Sequence, residues 1–502
     1  MSGIQSATIG AGVMLPGQSR ALDWIRSGKK QLLIGGQWVA AASGKTFETI
    51  NPATEEVLTQ VAEADTQDVD AAVAAARRAF EGPSWSGISP HERGRYLTKI
   101  ADAIEAHAEE LAAIESLDIG APLSFTRGQV AATAERFRYY AGWTSKIYGT
   151  TNASDASRFI YMVREPMGVC ALINAWNFPL VMAASKLAPA LACGNTMVLK
   201  PAEQSPLTTL RLAELIQEAG VPDGVVNVLQ GYGAVVGAAM AAHPDVDKIA
   251  FTGSTAVGRS IVQASAGNMK KATLELGGKS PNIIFADADL AKAIKASAQA
   301  FCRNSGQICS AGTRLLVHES VYDEVKAGIV AAAAGFKVGS PFASDTDLGP
   351  LISARQMDRV LSYIDTGRKE GAELALGGSR VGKTGFFVEP TVFANVANDM
   401  TIAREEIFGP VLSIIKFKDE ADAIAQANDT TYGLAAAVWT RDVSRAHRMM
   451  RAIKSGRVWI NTYAEGDPVM AIGGYKQSGY GREMGAESID AYTQTKSVLM
   501  RL

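Results

Sequence analysis

From Arg158 onward short apolar runs alternate with helical stretches, and this alternation limits the possible fold more than any other feature of the chain. GVCALINAW, NTMVLK, GVVNVL, KIAFTG and PNIIFA have the length and composition of buried strands. APALACG, PLTTLRLAELIQEAG, AVVGAAMAAH and VGRSIVQASA lie between them and read as helices. Strands this apolar must be covered on both faces, and a helix after each strand does so when the strands run parallel. A doubly wound parallel α/β sheet is therefore expected. A second series follows from RLLVHES through TVFANV, VLSIIKF, AAAVWT and RVWINT, so two lobes with a cleft between them are expected.

Upstream, QLLIGGQWV predicts a hairpin turning at Gly35 and Gly36. Asp65 to Phe80 and Glu92 to Leu117 carry helical spacing, with Gly120 as C-cap of the second. The first 30 residues are Gly- and Ser-rich without clear periodicity and read as a loosely held arm over 1–27. A chain of 502 residues has room for two or three domains. Its formal charge of −2 and lack of a basic run give no reason to expect nucleic acid or a membrane surface. No stretch approaches a membrane span, and the N-terminus lacks the charged and apolar regions of a secretory signal, so a cytoplasmic protein is expected. Four cysteines, Cys170, Cys193, Cys302 and Cys309, are too few for a disulfide framework and do not fall at zinc-ligand spacing. With five scattered histidines besides, no metal is expected.

Several strand-to-helix turns carry groups that can do chemistry. GYGAVVG (Gly231, Gly233, Gly237) opens a helix, but its GxGxxxG spacing departs from the dinucleotide fingerprint and favours a plain helix-entry loop. In FTGSTAVG, Gly253 and Ser254 sit where a helix N-terminus favours an anion. In VLKPAEQSP, Lys200 ends a strand and Glu203 follows one turn on. That pair either binds a ribose or belongs to a solvated loop. Asn177, in the bulky sequence Trp176-Asn177-Phe178-Pro179, is either a satisfied buried turn residue or an oxyanion-hole donor. Glu275, ahead of Gly277 and Gly278, is either a mobile carboxylate or a helix-terminal one.

The order of WNFP, KPAE, FTGST, LELGGKSP, GQxC, EEIFGPV and GGYKQSGYGRE resembles the aldehyde dehydrogenase superfamily, from about Leu32 to the C-terminus. The resemblance implies the hydrolytic, non-CoA-acylating type, since the deacylating glutamate is present. It implies an aldehyde dehydrogenase fold with a Rossmann-like cofactor domain (28–147 and 168–278) and an α/β catalytic domain (279–477). A small β oligomerisation element (148–167 and 478–502) would build a homodimer or homotetramer. Cys309 would be the nucleophile, acting as a thiolate, and Asn177 would hold the oxyanion with the Cys309 main-chain N–H. Glu275 would activate water to open the thioester, and Lys186 would help relay the proton. Lys200 and Glu203 would bind the adenosine ribose, and Trp176 and Ser254 would approach the pyrophosphate, next to Gly253. Glu406 would bind the nicotinamide ribose and Phe408 would pack on the ring. A carboxylate at the 2′-hydroxyl repels a 2′-phosphate, so NAD is expected over NADP.

Around the substrate funnel the resemblance implies contacts from Phe178, Ser185, Cys302, Arg303 and Ile472. Ser185 and Ile472 stand where related enzymes carry bulky aromatics. Arg303 stands at the place of an arginine that binds a distal carboxylate in succinate-semialdehyde dehydrogenases, but its usual companion is replaced by Ser185. A bulky or aromatic aldehyde is the expected substrate, with a carboxylate-bearing semialdehyde as the alternative. Arg303 is either a substrate ligand or half of an ion pair. A binding or structural protein on the same fold is the rival from another class.

Overall fold

The computed structural model describes residues 16–28 and 30–502. Two sheets organise the chain. The first has eight strands in the order Gly479–Tyr480, Lys271–Glu275, Lys248–Thr252, Val169–Ile173, Thr196–Lys200, Val226–Val228, Leu32–Ile34 and Gln37–Val39. Its five central strands are parallel, and their registers put Ile173 beside both Lys200 and Phe251. The second has seven strands, Glu373–Leu376, Thr391–Ala394, Val411–Phe417, Arg314–His318, Pro281–Ile284, Ala435–Trp439 and Arg457–Ile460, parallel except at the first pair. Both series expected from the sequence are present. Lys271–Glu275 is an additional strand, so Glu275 ends a strand and not a helix.

Side chains alternate across each strand, so each sheet divides its core in two. Cys170 and Leu172 face one layer, with the helices Pro90–Ala106, Leu123–Ala141 and Pro179–Cys193. Val169, Ala171 and Ile173 face the other, with Thr66–Glu81 and Thr255–Ser265. The second sheet is covered the same way, with Leu316 and Val438 on one side and Leu315 and Trp439 on the other.

Three expectations change. The helical stretch from Glu92 is two helices, Pro90–Ala106 and Ala108–Ile119, with His107 in a non-helical conformation between them; Gly120 does end the second, at φ 76°. Residues 1–15 of the expected arm lie outside the described residues, but Pro16–Arg26 is a helix fixed to the core. Its Ala21 and Ile25 are buried, and the Trp24 indole donates to Glu214 at 2.8 Å. Its apolar side is carried by so few residues that the Gly- and Ser-rich surroundings hide it. Finally, the C-terminal segment from 478 does not go straight to the small β element. Gly479 and Tyr480 first pair antiparallel with Glu275 and Leu274, and Ile489 enters the first core. Only Thr493–Arg501 joins the three-stranded sheet, along the full length of Arg158–Pro166, with Thr150–Asn152 beyond.

Candidate active site

Strands Thr196–Lys200, Val169–Ile173, Lys248–Thr252 and Lys271–Glu275 are neighbours, and their carboxyl ends share one edge of the first sheet. Ligands of open α/β sheets bind outside such ends. The loops leaving them carry Glu203, then Trp176, Asn177 and Phe178, then Gly253 and Ser254. Lys200 is buried, donating to the Pro201 carbonyl at 2.9 Å and to Glu203 at 3.4 Å, and burial lowers its pKa. The Ser254 hydroxyl caps the helix Thr255–Ser265 by accepting from the Val257 N–H at 3.3 Å. From the second lobe, Glu406 accepts from the Gly278 N–H at 3.1 Å, and burial pushes its carboxyl up to about 7. Phe408, at φ 61°, meets Trp176 edge-on at 5.2 Å. Groups from both lobes thus line one crevice.

Cys309 follows the most strained stretch of backbone in the site. Asn304, Ser305 and Gly306 are left-handed in succession, at φ 49°, 54° and 73°. Non-glycine residues held there cost on the order of 1–3 kcal/mol each and persist only when their surroundings demand it. Here Ser305 donates to the Gly349 carbonyl at 2.7 Å, Asn304 donates to the Asn177 carbonyl at 3.1 Å, and Gln307 accepts from the Ile352 N–H at 2.9 Å. The Asn177 amide in turn donates to the Gln307 carbonyl at 2.8 Å. Asn177 is therefore tied to the cysteine loop itself, with one amide hydrogen used and its Oδ1 without a partner. Gly278 packs so close to the Cys309 carbonyl that a Cβ there has no room, and Gly306 is as close to the backbone of Gly409. Those glycines let three loops converge on one sulfur.

A chain of titratable groups lies beneath it. Lys186 is fully buried, donating to Thr252 Oγ1 at 2.6 Å and pairing with Glu483 at 2.8 Å. Burial first, and the Glu483 charge second, hold the Glu275 carboxyl well above its usual range, against the pull of Lys186. Burial, then the Glu406 and Glu275 carboxylates, push the Cys309 thiol up to about 12, and Arg457 opposes them.

Cys309 and Glu275 face a cavity of about 690 Å3 shared with Phe178, Ser185, Arg303 and Ile472. Ser185 is buried and donates to the Val181 carbonyl at 2.9 Å. Ile472 exchanges main-chain hydrogen bonds with Glu483 at 2.6 and 2.8 Å. Cys302 is not on this wall: it is buried and lines an adjoining cavity of about 370 Å3, because it ends the helix Leu290–Cys302 before the chain turns. Arg303 borders both cavities and lies over the Phe125 ring at 5.0 Å. Among the described residues it forms no ion pair. Glu483, Thr252, Arg136 and Arg457 were not singled out from the sequence. Glu483 lies inside the quoted GYGRE motif, whereas nothing local marks the two arginines.

Comparison with known proteins identifies the family. The model of a family described as the aldehyde dehydrogenase family matches residues 38–498. An aldehyde dehydrogenase of Aspergillus niger is 51% identical over 472 residues, 94% of this chain and 95% of that protein. The NAD+ complex of an aldehyde dehydrogenase from Bacillus cereus superposes with a TM-score of 0.95 at 48% identity, covering 98% of this chain and 99% of the other. An indole-3-acetaldehyde dehydrogenase in complex with NAD+ has the same TM-score, 0.95, at 44% identity, covering 97% and 99%.

Proposed function

Because the chain belongs to the aldehyde dehydrogenase family, we propose that it oxidises a bulky aldehyde to the carboxylic acid with NAD+, through a covalent intermediate on Cys309. The observation that carries this reading is that Cys309 and Glu275 face one large cavity, with Asn177 hydrogen-bonded to the loop that carries Cys309. An aldehyde carbon in that cavity can reach Sγ. Once Sγ adds as the thiolate, its proton taken up by Glu275 and passed on to the Lys186–Glu483 pair, the carbonyl oxygen becomes an oxyanion beside the second amide hydrogen of Asn177 and the Cys309 N–H.

The cofactor-side residues fit a dinucleotide. Lys200 and Glu203 present a donor and a carboxylate at the sheet edge, as a ribose needs, and the capped helix behind Ser254 presents its positive end to a pyrophosphate. Glu406 and Phe408 complete the crevice from the other lobe. When bound there, the nicotinamide supplies the hydride acceptor. Loss of hydride from the thiohemiacetal carbon leaves a thioester on Cys309. Glu275 then takes a proton from water as the hydroxide attacks the thioester carbonyl, and the thiolate leaves. The Lys186–Glu483 pair gives that proton a buried route away from Glu275.

Breadth of substrate rests on the cavity wall, where Ser185, Gly466 and Ile472 leave room, and on the relative that acts on indole-3-acetaldehyde. We assign the first sheet to the cofactor domain and the second to the catalytic domain. The strands Arg158–Pro166 and Thr493–Arg501 form an oligomerisation element of a dimer or tetramer. Four unpaired cysteines fit a reducing compartment, the cytoplasm. Cys309→Ala tests the mechanism. Aldehyde-dependent NAD+ reduction is expected to vanish while NAD+ still quenches tryptophan fluorescence, and retained turnover refutes the nucleophile.

A further inference from the structure

Three guanidinium groups, Arg136, Arg303 and Arg457, line the cavity that holds Cys309, and among the described residues none of them forms an ion pair. Arg136 and Arg457 are half-buried and Arg303 is exposed, and a guanidinium partly withdrawn from water without an ionic partner is costly unless a ligand supplies one. Arg457 projects from the start of the strand Arg457–Ile460, and its Nε is buried with no hydrogen-bond partner. Arg136, on the helix Leu123–Ala141, spends its Nε on the Met484 thioether at 3.4 Å, a weak acceptor. One further nitrogen makes a long bond of 3.4 Å to the Ala132 carbonyl of its own helix. Burial lowers the pKa of both side chains, and each lies in the other's neighbourhood, since the Arg457 charge is felt at Arg136.

The acidic groups on the same wall do not answer these charges. Glu483 is taken by Lys186 at 2.8 Å, and Glu275 forms no ion pair with any of the three, its Oε1 being buried without a hydrogen-bond partner. Asp467 is exposed and accepts from the Val469 N–H at 3.0 Å; Glu135 is exposed at the rim. Among the described residues the three guanidinium groups are therefore left without an ionic partner beside the nucleophile.

We infer that the aldehyde this enzyme oxidises carries a carboxylate, seated between Arg136 and Arg457, with Arg303 at the outer edge drawing the anion in. The inference rests on the aldehyde-oxidation reading and narrows it to one substrate class, the aldehyde acids. Guanidinium and carboxylate match as planar, two-pronged partners, and such charge-assisted pairs are among the stronger hydrogen bonds.

The test is steady-state NAD+ reduction by the full-length enzyme with matched pairs, hexanal against 6-oxohexanoate and benzaldehyde against 4-carboxybenzaldehyde. The acid member of at least one pair is expected to be favoured by about tenfold or more in kcat/KM, with an advantage that shrinks as salt rises. Arg136→Met and Arg457→Met are expected to collapse that ratio toward about one, mainly through KM of the acid, and Arg136→Lys to restore part of it. Neutral aldehydes oxidised as well as their acid partners by the wild type overturn the inference while leaving aldehyde oxidation standing. No oxidation of any of the four removes the parent reading as well. An equal loss on neutral and acidic aldehydes in Arg457→Met overturns it too, since that guanidinium then serves the Cys309 thiolate and not the substrate.

Discussion

Asn177 meets two demands at once. Its amide fixes the Gln307 carbonyl two residues before the nucleophile, and in the proposed mechanism its remaining donor serves the oxyanion. Asn177→Ala is therefore expected to lower kcat by about 10²–10³-fold, the usual loss on removing one oxyanion donor. Stopped-flow NADH formation at saturating aldehyde measures it, and a change confined to KM contradicts the role. At the other end of the crevice Glu203 is proposed to set cofactor choice through its charge. Wild type is expected to use NAD+ at least tenfold better than NADP+, by analogy with like-charge exclusion elsewhere. Glu203→Ser is expected to narrow that ratio, read from kcat/KM with both cofactors. Both residues were legible in the sequence because their motifs are contiguous. Arg457 and Arg136 were not, since an arginine in a strand or on a helix gives no local sign of the cavity that its side chain enters.

The helix Ala108–Ile119 shows what burial does to an element as a whole. Every residue from Glu110 to Ile119 is buried, so its polar positions are inside the protein as well. Neither carboxylate oxygen of Glu115 has a hydrogen-bond partner of normal geometry, and burial raises its pKa to about 8. The folded protein thus holds this group protonated, while the unfolded chain releases the proton above its ordinary value of 4.5. The stability it contributes is present at acid pH and is lost as pH rises toward 8. Relative to Glu115→Gln, wild type is expected to lose about 1.4 kcal/mol per pH unit in that window. Urea unfolding of both proteins from pH 5 to pH 8 checks it, and a gap that stays constant with pH refutes it. The sequence periodicity ran straight through His107 because propensity does not register a one-residue break imposed by packing.

At the scale of the molecule, Thr493–Arg501 is an edge strand, paired on one side only with Arg158–Pro166. Its apolar end, with Leu499, Met500 and Leu502, is exposed alongside Phe159. A long unpaired edge of this kind invites a partner strand. Light scattering after gel filtration is expected to give two or four times the chain mass of 53.0 kDa. Replacing both Leu499 and Met500 by Lys is expected to shift the protein toward a smaller species. A wild-type monomer at micromolar concentration refutes the assignment.

The sequence by itself determined the two α/β series, the glycine-bearing turns and the identity of Cys309, Asn177 and Glu275 as candidates. These rest on local patterns, apolar runs of strand length and motifs read along a few consecutive residues. Only the tertiary structure decided that Cys302 faces a different cavity from Cys309, that Glu483 closes on Lys186 from 297 positions away, and that three arginines share one wall. Those relations depend on side-chain direction and on the docking of one lobe against the other, and neither is encoded in spacing along the chain.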